Sequence, residues 1–432
     1  MSAERLDEAG AVRPGEELDA ARLAAVVRDR LGLEGAVSVR QFGRGHSNLT
    51  YLVTVGDREM VLRRPPFGSK VKSAHDMTRE GRLLDRIAPV YPKAPRPLLI
   101  VDDEATLGAP FYLMERRPGL ILRKDMPAGM VMGPDDIRKL HTNLIDALAE
   151  LHAIDLAANR LDDMGKPEGY IERQVSGWAK RYEGSKTDSI EAIDTVGRWL
   201  ADHRPADGPG ALIHNDFKLD NVVLAPDEPT RITAVLDWEM ATIGSPLMDL
   251  GTTLSYWVNP DDPDDHQFVR WGPTTVPGSL TRQELVDRYA ERTGRPVDHA
   301  VFYYAFGLFK TAVVLQQIYY RYKQGLTKDE RFAQLILGVD VLARAAARAI
   351  DRGTVLRGRA PPAQRRSGGR SARAESPSAS RRRSARGARR RPGDRPGCTR
   401  ETGPTSNSTR ATDRRSAGAP CRGRRGTPRA RA

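Results

Sequence analysis

The sequence predicts an α+β fold of two lobes, in which a small antiparallel sheet is followed by a mostly helical lobe. Two patterns support this prediction. Between Val37 and Glu115, short runs alternate apolar with polar residues, as strands with one buried face do. After Arg117 the apolar residues recur at the helical period, and the clearest stripe consists of Ile137, Leu140, Leu144, Leu148 and Leu151. The first lobe is expected over residues 17–116 and the second over residues 117–353.

The first two strands, VSVRQF and LTYLVTV, are joined by the turn GRGHSN. The turn residues that are candidates for folding over nucleotide phosphates are Gly43, Gly45, Ser47 and Asn48. Glycine pairs also mark ordinary hairpins, because such turns require positive φ whatever they bind. The position of the turn favours a phosphate-binding role, because a strand that carries a cation follows it.

The third strand, EMVLRRPP, supplies that cation as Arg63, whose planar guanidinium can bind phosphate or carboxylate at two points. Arg64 should point to the opposite face of the sheet. A helix expected from about Ala74 to Ile87 presents Glu80 as the ion-pair partner of Arg63. This pair would hold the guanidinium toward the α and β phosphates of a nucleotide.

The segment APFYLMERRPG predicts a last strand that leads into a hinge between the lobes. Met114 and Glu115 would then lie beside an adenine base, which main-chain N–H and C=O groups would contact. An edge strand that ends in a turn at Pro118 and Gly119 fits the same residues.

The segment from Leu212 to Gly251 is the most informative part of the sequence for function. His214, Asp216 and Asn221 precede a short strand, and Asp237 ends the next strand along the chain. In phosphoryl transfer the protein mainly orients the accepting hydroxyl and neutralises the triphosphate with Mg²⁺. Asp216 suits the acceptance of the hydroxyl proton, and Asn221 with Asp237 offers oxygen ligands of the kind that Mg²⁺ prefers.

Two further residues of this segment are expected to support it. His214 is expected to brace the catalytic loop by hydrogen bonding. Asp249, which opens a predicted helix, is expected to cap free backbone N–H groups and to hold the catalytic segment. The spacing of His214, Asp216, Asn221 and Asp237 matches the kinase signature, but Trp238 and Glu239 replace the Phe and Gly of protein kinases. That difference argues against a protein substrate.

From Val37 to Ile350 the chain resembles the aminoglycoside phosphotransferase superfamily. Within it, the sequence is most similar to the kinase domain fused to acyl-CoA dehydrogenases in animals and to its free-standing bacterial relatives. The segments that carry this likeness are FGRGHSNLTY, VLRRPP, RQVSGW, DWEMATIGSPLMDLG and SYW. The resemblance implies a two-lobed protein-kinase-like fold, ATP and Mg²⁺, Asp216 as base, and Asn221 with Asp237 on the metal. It also implies a hydroxyacyl-CoA ester as the acceptor.

Two regions are candidates for contacting the acceptor. The first comprises Arg173, Gln174 and Trp178, and an arginine beside an aromatic ring would suit an anionic, acyl or CoA-like ligand. Tyr256 begins the second region, WVNPDDPDDHQF follows it, and its Asp261, Asp262, Asp264 and Asp265 would suit a polycationic antibiotic. The ordinary interpretation of this acidic run is a solvated charged loop.

The helical lobe should contain five further helices, of which the last is expected from Lys328 to Ile350. The other four are expected at Ile171–Glu183, Ile190–His203, Thr281–Thr293 and Ala300–Arg321. Aromatic residues within them, such as Tyr303 and Trp178, are expected mainly in the core. No run approaches the roughly 20 apolar residues needed to span a bilayer. The polar leader, residues 1–16, lacks the apolar region of a secretion signal, so a cytoplasmic protein is expected.

The net charge of +13 hides two different parts of the chain. Residues 357–432 contain 23 Arg and no Lys against four acidic residues, so the remainder is mildly acidic. The tail, 354–432, has too few apolar residues to form a core and is expected to be disordered, with at most non-specific attraction to nucleic acid. Its composition is what GC-rich DNA gives in a wrong frame, which suggests a shifted reading frame. Both cysteines, Cys398 and Cys421, also lie there.

The sequence therefore favours a small-molecule kinase that transfers the ATP γ-phosphate to a hydroxyl of a hydroxyacyl-CoA or a related anionic metabolite. An aminoglycoside or other antibiotic phosphotransferase, or a choline-type kinase, is the alternative. A nucleotide-binding module without catalysis is the second alternative, which the intact Asp216, Asn221 and Asp237 disfavour.

Overall fold

The computed structural model describes residues 8–43, 48–67, 77–327 and 329–355. Its N-terminal part contains a five-stranded antiparallel sheet with the strand order β1-β2-β3-β5-β4. The strands are β1 (Val37–Gln41), β2 (Leu49–Val55), β3 (Arg58–Arg64), β4 (Pro97–Val101) and β5 (Phe111–Glu115). Two helices, α1 (Ala20–Leu31) and α2 (Met77–Ile87), pack on this sheet.

The two helices cover opposite faces because side chains alternate along each strand. Met60 and Leu62 of β3 join the apolar cluster that includes Leu23 of α1. Val61 instead joins the cluster that includes Leu84 of α2. Arg63, two residues after Val61, therefore lies on the α2 side of the sheet, while Arg64 lies on the other side.

The second lobe is mostly helical. Its helices are α3 (Pro134–His152), α4 (Tyr170–Ser185), α5 (Glu191–Asp202), α6 (Pro246–Ser255), α7 (Asp264–Phe268), α8 (Arg282–Thr293), α9 (Ala300–Lys323) and α10 (Leu335–Arg352). Two small antiparallel pairs accompany them, β6 (Ala211–Ile213) with β9 (Thr242–Gly244), and β7 (Val222–Leu224) with β8 (Ile232–Val235). The predicted α+β fold of two lobes is confirmed.

Helices α6 and α9 cross at two glycines. A Cβ atom at Gly307 of α9 would lie 2.1 Å from the carbonyl oxygen of Gly251 in α6, and one at Gly251 would lie 2.1 Å from that of Tyr303. Only residues without a side chain allow this approach. The crossing fixes α6, which carries Asp249 and is followed by Tyr256.

Helix α9 alone among the described helices has the length and apolar composition of a membrane span, which the sequence interpretation had not recognised. Most of its apolar window is buried inside the fold, with Phe306 and Phe309 in the core. Packing against α6 and α10 therefore accounts for its composition.

Several sequence predictions need correction. The last helix begins at Leu335, later than predicted, because a 3-10 turn at Glu330–Gln334, capped by Asp329, precedes it. Its predicted first residue, Lys328, lies outside the described residues. Strand β5 is not an edge strand, since it pairs with both β3 and β4. The acidic run is not simply a solvated loop. Asp262 is buried against Arg282, and Asp264–Phe268 forms the short helix α7.

Candidate active site

A cleft of about 550 Å³ is lined by residues of both lobes. The sheet contributes Val61, Arg63 and Met114, and the helical lobe contributes Asp216 and Asp237. Charged and apolar side chains thus face the same space, which is typical of small-molecule sites.

The hairpin of β7 and β8 brings two side chains with oxygen atoms to one end. Val222 pairs with Val235, and the N–H of Leu236 donates to the carbonyl of Asn221 at 2.8 Å. Asn221 directly precedes β7 and Asp237 follows β8 after one residue, so both stand at the same end of the hairpin. Both side chains line the cleft.

Asp216 is surrounded by donors. The Tyr256 hydroxyl donates to Oδ1 at 2.6 Å, and the Lys218 ammonium lies 3.1 Å from Oδ2. The Asn221 amide donates to Oδ2 at 2.9 Å and to the main-chain oxygen of Asp216 at 2.8 Å. These bonds orient the carboxylate, and its oxygens are of the kind that can accept a hydroxyl proton.

Asp249 holds the loop that carries Asp216. Its carboxylate accepts hydrogen bonds from the backbone N–H groups of His214 and Asn215, both at 2.7 Å, and contacts His152 at 3.1 Å. Burial alone would raise the pKa of Asp249, but the bonds and charges around it lower that pKa. These two bonds to backbone N–H groups hold the segment that carries Asp216, which is the structural role expected for Asp249 from the sequence.

His214 braces the same loop. One ring nitrogen lies 2.9 Å from the carbonyl oxygen of Leu236, and the other accepts from the Asp216 N–H at 3.3 Å. Burial lowers the pKa of His214, which favours the neutral imidazole that these two contacts require. Asn215 and Asp237 have positive φ values of 66° and 68°, a conformation that Asn and Asp tolerate and that occurs often at functional sites.

Arg63 links the lobes electrostatically. Its guanidinium pairs with buried Glu80 on one side, and on the other donates to Asp237 Oδ1 at 2.9 Å. Glu80 also accepts from the Trp238 N–H at 3.1 Å. Burial alone would raise the pKa of Asp237, but Arg63 lowers it, so the carboxylate stays ionised.

Glu239 lies beside this pair, 3.7 Å from the Arg63 guanidinium, and accepts from the Asn48 amide at 2.6 Å. Burial, together with the charge of Asp237, raises the pKa of Glu239 to about 8. Asn48, which directly precedes β2, is therefore linked to the segment that follows Asp237. Gly43 ends the described part of its turn, and Gly45 and Ser47 lie outside the described residues.

Met114 and Glu115 line the cleft at the end of β5. The Glu115 N–H donates to the Arg96 carbonyl at 2.9 Å, and its carboxylate accepts from the Arg96 N–H at 2.8 Å. Arg117, next along the cleft, donates to the same carboxylate at 2.9 Å. These contacts fix the connection between the lobes.

Sequence reasoning missed two lysines of the site. Lys218 lies between Asp216 and Asp220, and these acids raise its pKa although burial alone would lower it. Lys310 of α9 is buried, and its ammonium donates to the Asn215 carbonyl at 2.6 Å. Burial lowers the pKa of Lys310 to about 8. The sequence signal for Lys310 was its charge within an otherwise apolar run of a predicted helix.

The residues predicted to contact the acceptor lie in two separate places. Tyr256 lies in the cleft beside Trp271, with ring centroids 5.7 Å apart. Arg173, Gln174 and Trp178 are not among the described residues that line it. Arg173 is exposed and binds the carbonyls of Lys166 and Glu168. Gln174 accepts from the indole of Trp178, whose ring belongs to the hydrophobic core.

Comparison with known proteins identifies the family. The model of the phosphotransferase enzyme family, APH, matches residues 38–281, which is more than half of the chain. The chain belongs to the phosphotransferase enzyme family. Its members transfer phosphate from ATP to hydroxyl groups of small molecules, and this phosphotransferase is an ATP-dependent enzyme with an alcohol group as acceptor. The resemblance and the enzyme class predicted from the sequence are confirmed.

Curated relatives of the phosphotransferase include acyl-CoA dehydrogenase family member 10 of Mus musculus, with 36% identity over 66% of this chain and 27% of the relative. Family member 11 of Rattus norvegicus is 33% identical over 74% of this chain and 42% of the relative. The phosphotransferase thus spans less than half the length of these relatives.

Among solved structures, a putative aminoglycoside phosphotransferase from Ralstonia eutropha shares 30% identity, with a TM-score of 0.65 over 77% of this chain and 99% of that one. The GDP and kanamycin complex of APH(2")-IIia is 15% identical, with a TM-score of 0.53 over 76% of this chain and 98% of that one. The second likeness shows the fold alone. The kinase-like fold predicted for the phosphotransferase is confirmed.

Proposed function

We propose that this phosphotransferase moves the ATP γ-phosphate, with Mg²⁺, to the hydroxyl of a small anionic metabolite, and that hydroxyacyl-CoA esters are the acceptor class. The observation that carries the proposal is the Asp216 carboxylate, which lies in a cleft beside Asn221 and Asp237. In this reaction the protein mainly positions groups and balances charge.

Asp216 is the proposed base. It would orient the acceptor hydroxyl and take its proton as the bond to phosphorus forms. Tyr256, Lys218 and Asn221 hold the carboxylate in one orientation through the bonds described above. His214 and Asp249 support the loop and are not proposed to contact the reacting atoms.

Asn221 and Asp237 are the proposed Mg²⁺ ligands, and the residues fit that role. The Asn221 amide nitrogen is engaged with Asp216, which leaves the amide oxygen as the atom suited to a metal. Asp237 stays ionised and is partly exposed to the cleft. Mg²⁺, when bound, would neutralise charge on the phosphate oxygens.

Arg63 is proposed to contact the α and β phosphates, held by Glu80 in the geometry described. Gly43 and Asn48, with Gly45 and Ser47 between them, are proposed to close over the phosphates. Met114 and Glu115 are proposed to lie beside the adenine base. Because the Arg96 carbonyl engages the Glu115 N–H, other main-chain groups of this segment would contact the base.

The cleft offers cations that could contact an anionic acceptor. The basic residues of its lining include Arg116, Arg117, Arg123, Lys218 and Lys310, and they stand among the acidic residues Glu115, Asp216, Asp220, Asp237 and Glu239. The acidic run that would have suited an aminoglycoside contributes none of its described residues to that lining, and Asp262 is buried with Arg282. The names of the curated relatives agree with an acyl-CoA acceptor. We further propose that the enzyme works in the cytoplasm, where ATP is available.

The proposal is tested with a panel of acceptors that contains hydroxyacyl-CoA esters, aminoglycosides, choline and sugars. Each is incubated with Mg-ATP, and phosphorylated product and ADP are measured together by mass spectrometry. We expect stoichiometric product from the hydroxyacyl-CoA esters, and none from them with Asp237→Ala. Product from another class alone would reassign the acceptor. Nucleotide binding without any product would favour the non-catalytic module.

A further inference from the structure

The cleft extends away from Asp216 along one face of α9. This helix lines the cleft with Val314, Leu315 and Ile318. The 3-10 turn before α10 adds Phe332, and the first residue of α10 adds Leu335. We call these five residues the apolar arm. Val314 is 37% exposed although it is apolar, so the arm leaves hydrocarbon surface open toward the cleft. Exposed apolar surface inside a catalytic cleft usually contacts the substrate.

The polar end of the arm is Lys310, which precedes Val314 by one helical turn and lies beside the catalytic loop. From Lys310 to Ile318 the helix advances about 12 Å, since each residue contributes about 1.5 Å. A ligand in this space would meet an ammonium and the Asp216 carboxylate at one end, and only hydrocarbon along the five arm residues.

The wall of the arm is fixed by close packing of α9 against α10. A Cβ atom at Gly338 of α10 would lie 2.9 Å from Cδ1 of Leu315. Glycine at this position allows α10 to approach α9, and Leu335 at the start of α10 lines the same cleft as Leu315. The packing of the two helices therefore fixes this part of the arm.

We infer that the acceptor carries an apolar chain that lies in the apolar arm, and that Ile318 and Leu335 determine the chain length accepted. This inference rests on the proposed function, since it assigns the part of the cleft that would bind the acyl chain of the acceptor. Burial of one methylene group of the acceptor contributes about 0.8 kcal/mol of favourable binding free energy. We therefore expect kcat/KM to rise about fourfold for each methylene that the arm accommodates.

The test uses straight-chain hydroxyacyl-CoA esters of increasing length with the full-length enzyme. In Ile318→Trp the indole ring, which is larger than the isoleucine side chain, fills part of the arm. We therefore expect kcat/KM for the longest esters to fall at least about tenfold, which corresponds to burying two fewer methylene groups. The shortest esters should be affected about twofold or less, because their chains end before residue 318. Ile318→Ala should shift the optimum toward longer esters.

Leu337→Trp is the matched control, because Leu337 lies on α10, is 57% exposed and does not line the cleft. Its chain-length profile should equal that of the wild type. A wild-type profile independent of length, or an Ile318→Trp profile identical to that of the control, overturns the inference.

A binding measurement separates failure of the inference from failure of the proposed function. The probe is a fluorescent straight-chain fatty acid, titrated into wild type, Ile318→Trp and Leu337→Trp. Binding that only Ile318→Trp weakens supports the arm even if no hydroxyacyl-CoA is phosphorylated, and the proposed acceptor is then wrong. Absence of binding to the wild type, or equal binding to all three proteins, overturns the inference.

Discussion

Arg63 of the sheet donates to Asp237 of the helical lobe at 2.9 Å while the same guanidinium pairs with buried Glu80. One cation thus fixes the position of a proposed metal ligand relative to the sheet. Because Glu80 is 1% exposed, its charge depends on Arg63 for compensation.

Arg63→Met should leave Glu80 as an unpaired buried carboxylate and lower the free energy of unfolding by roughly 3–5 kcal/mol. Adding Glu80→Leu should recover most of that loss, since apolar replacement of a buried ion pair is often neutral. Urea unfolding measures both effects. Phosphate transfer should stay low in the double variant, because the proposed contact of Arg63 with the nucleotide phosphates would still be missing. Full activity in the double variant would contradict the role of Arg63.

Asp249→Asn should reduce kcat about 100-fold while nucleotide affinity is retained. The amide offers one acceptor oxygen where two backbone N–H groups and His152 now converge, so the catalytic loop shifts, and small shifts have effects of this size. Initial rates and nucleotide titration test this. Asp227→Asn, at an exposed position, is the control and should behave like the wild type. Equal kcat in both variants would exclude a positioning role for Asp249.

His266 should make the protein sensitive to acid. Burial lowers its pKa from 6.5 to about 4, so the unfolded chain binds a proton at a higher pH than the folded one. Stability from this group is therefore complete above pH 6.5 and falls as pH decreases toward 4, by up to roughly 3 kcal/mol. Denaturant unfolding at several pH values should give a flatter dependence for His266→Leu. An unchanged slope would show that another group dominates.

Gly307→Ala should destabilise the protein by about 1–3 kcal/mol or more and also lower kcat. The added methyl group would meet the Gly251 carbonyl and displace α6, which positions Asp249. Gly184→Ala is the matched control, because Gly184 is helical and a methyl group there would meet none of the described residues within 4 Å. That control should be neutral or stabilising by roughly 0.5–1 kcal/mol. Thermal unfolding distinguishes the two.

The convergence of the proposed catalytic and metal-binding residues was predictable because it depends on spacing along the chain. Asp216, Asn221 and Asp237 lie within or beside one hairpin, so strand patterns and residue types are enough to place them together. The two lobes were predictable for the same reason. Apolar residues recur every two residues along strands and every 3.6 residues along helices, and both periods can be recognised locally in the sequence. The pairing of Arg63 with Glu80 also followed, because a strand and the next helix must pack.

The contacts that could not be predicted join distant parts of the chain. Lys310 reaches Asn215 across 95 residues, and Tyr256 reaches Asp216 across 40. Asp262 was interpreted as part of a charged loop because its partner, Arg282, stands on a later helix. Arg173 appeared suited to an anion, but the carbonyls of the preceding loop occupy its guanidinium. Such outcomes depend on packing, which periodicity does not specify.

The most direct test is the rate of phosphate transfer from Mg-ATP to the best acceptor of the panel, compared between wild type and Asp216→Asn. The substitution preserves shape and removes the base, so kcat should fall about 10²–10⁴-fold. Nucleotide affinity and the midpoint of thermal unfolding should stay close to wild-type values. A folded Asp216→Asn variant that transfers phosphate at the wild-type rate would contradict the account.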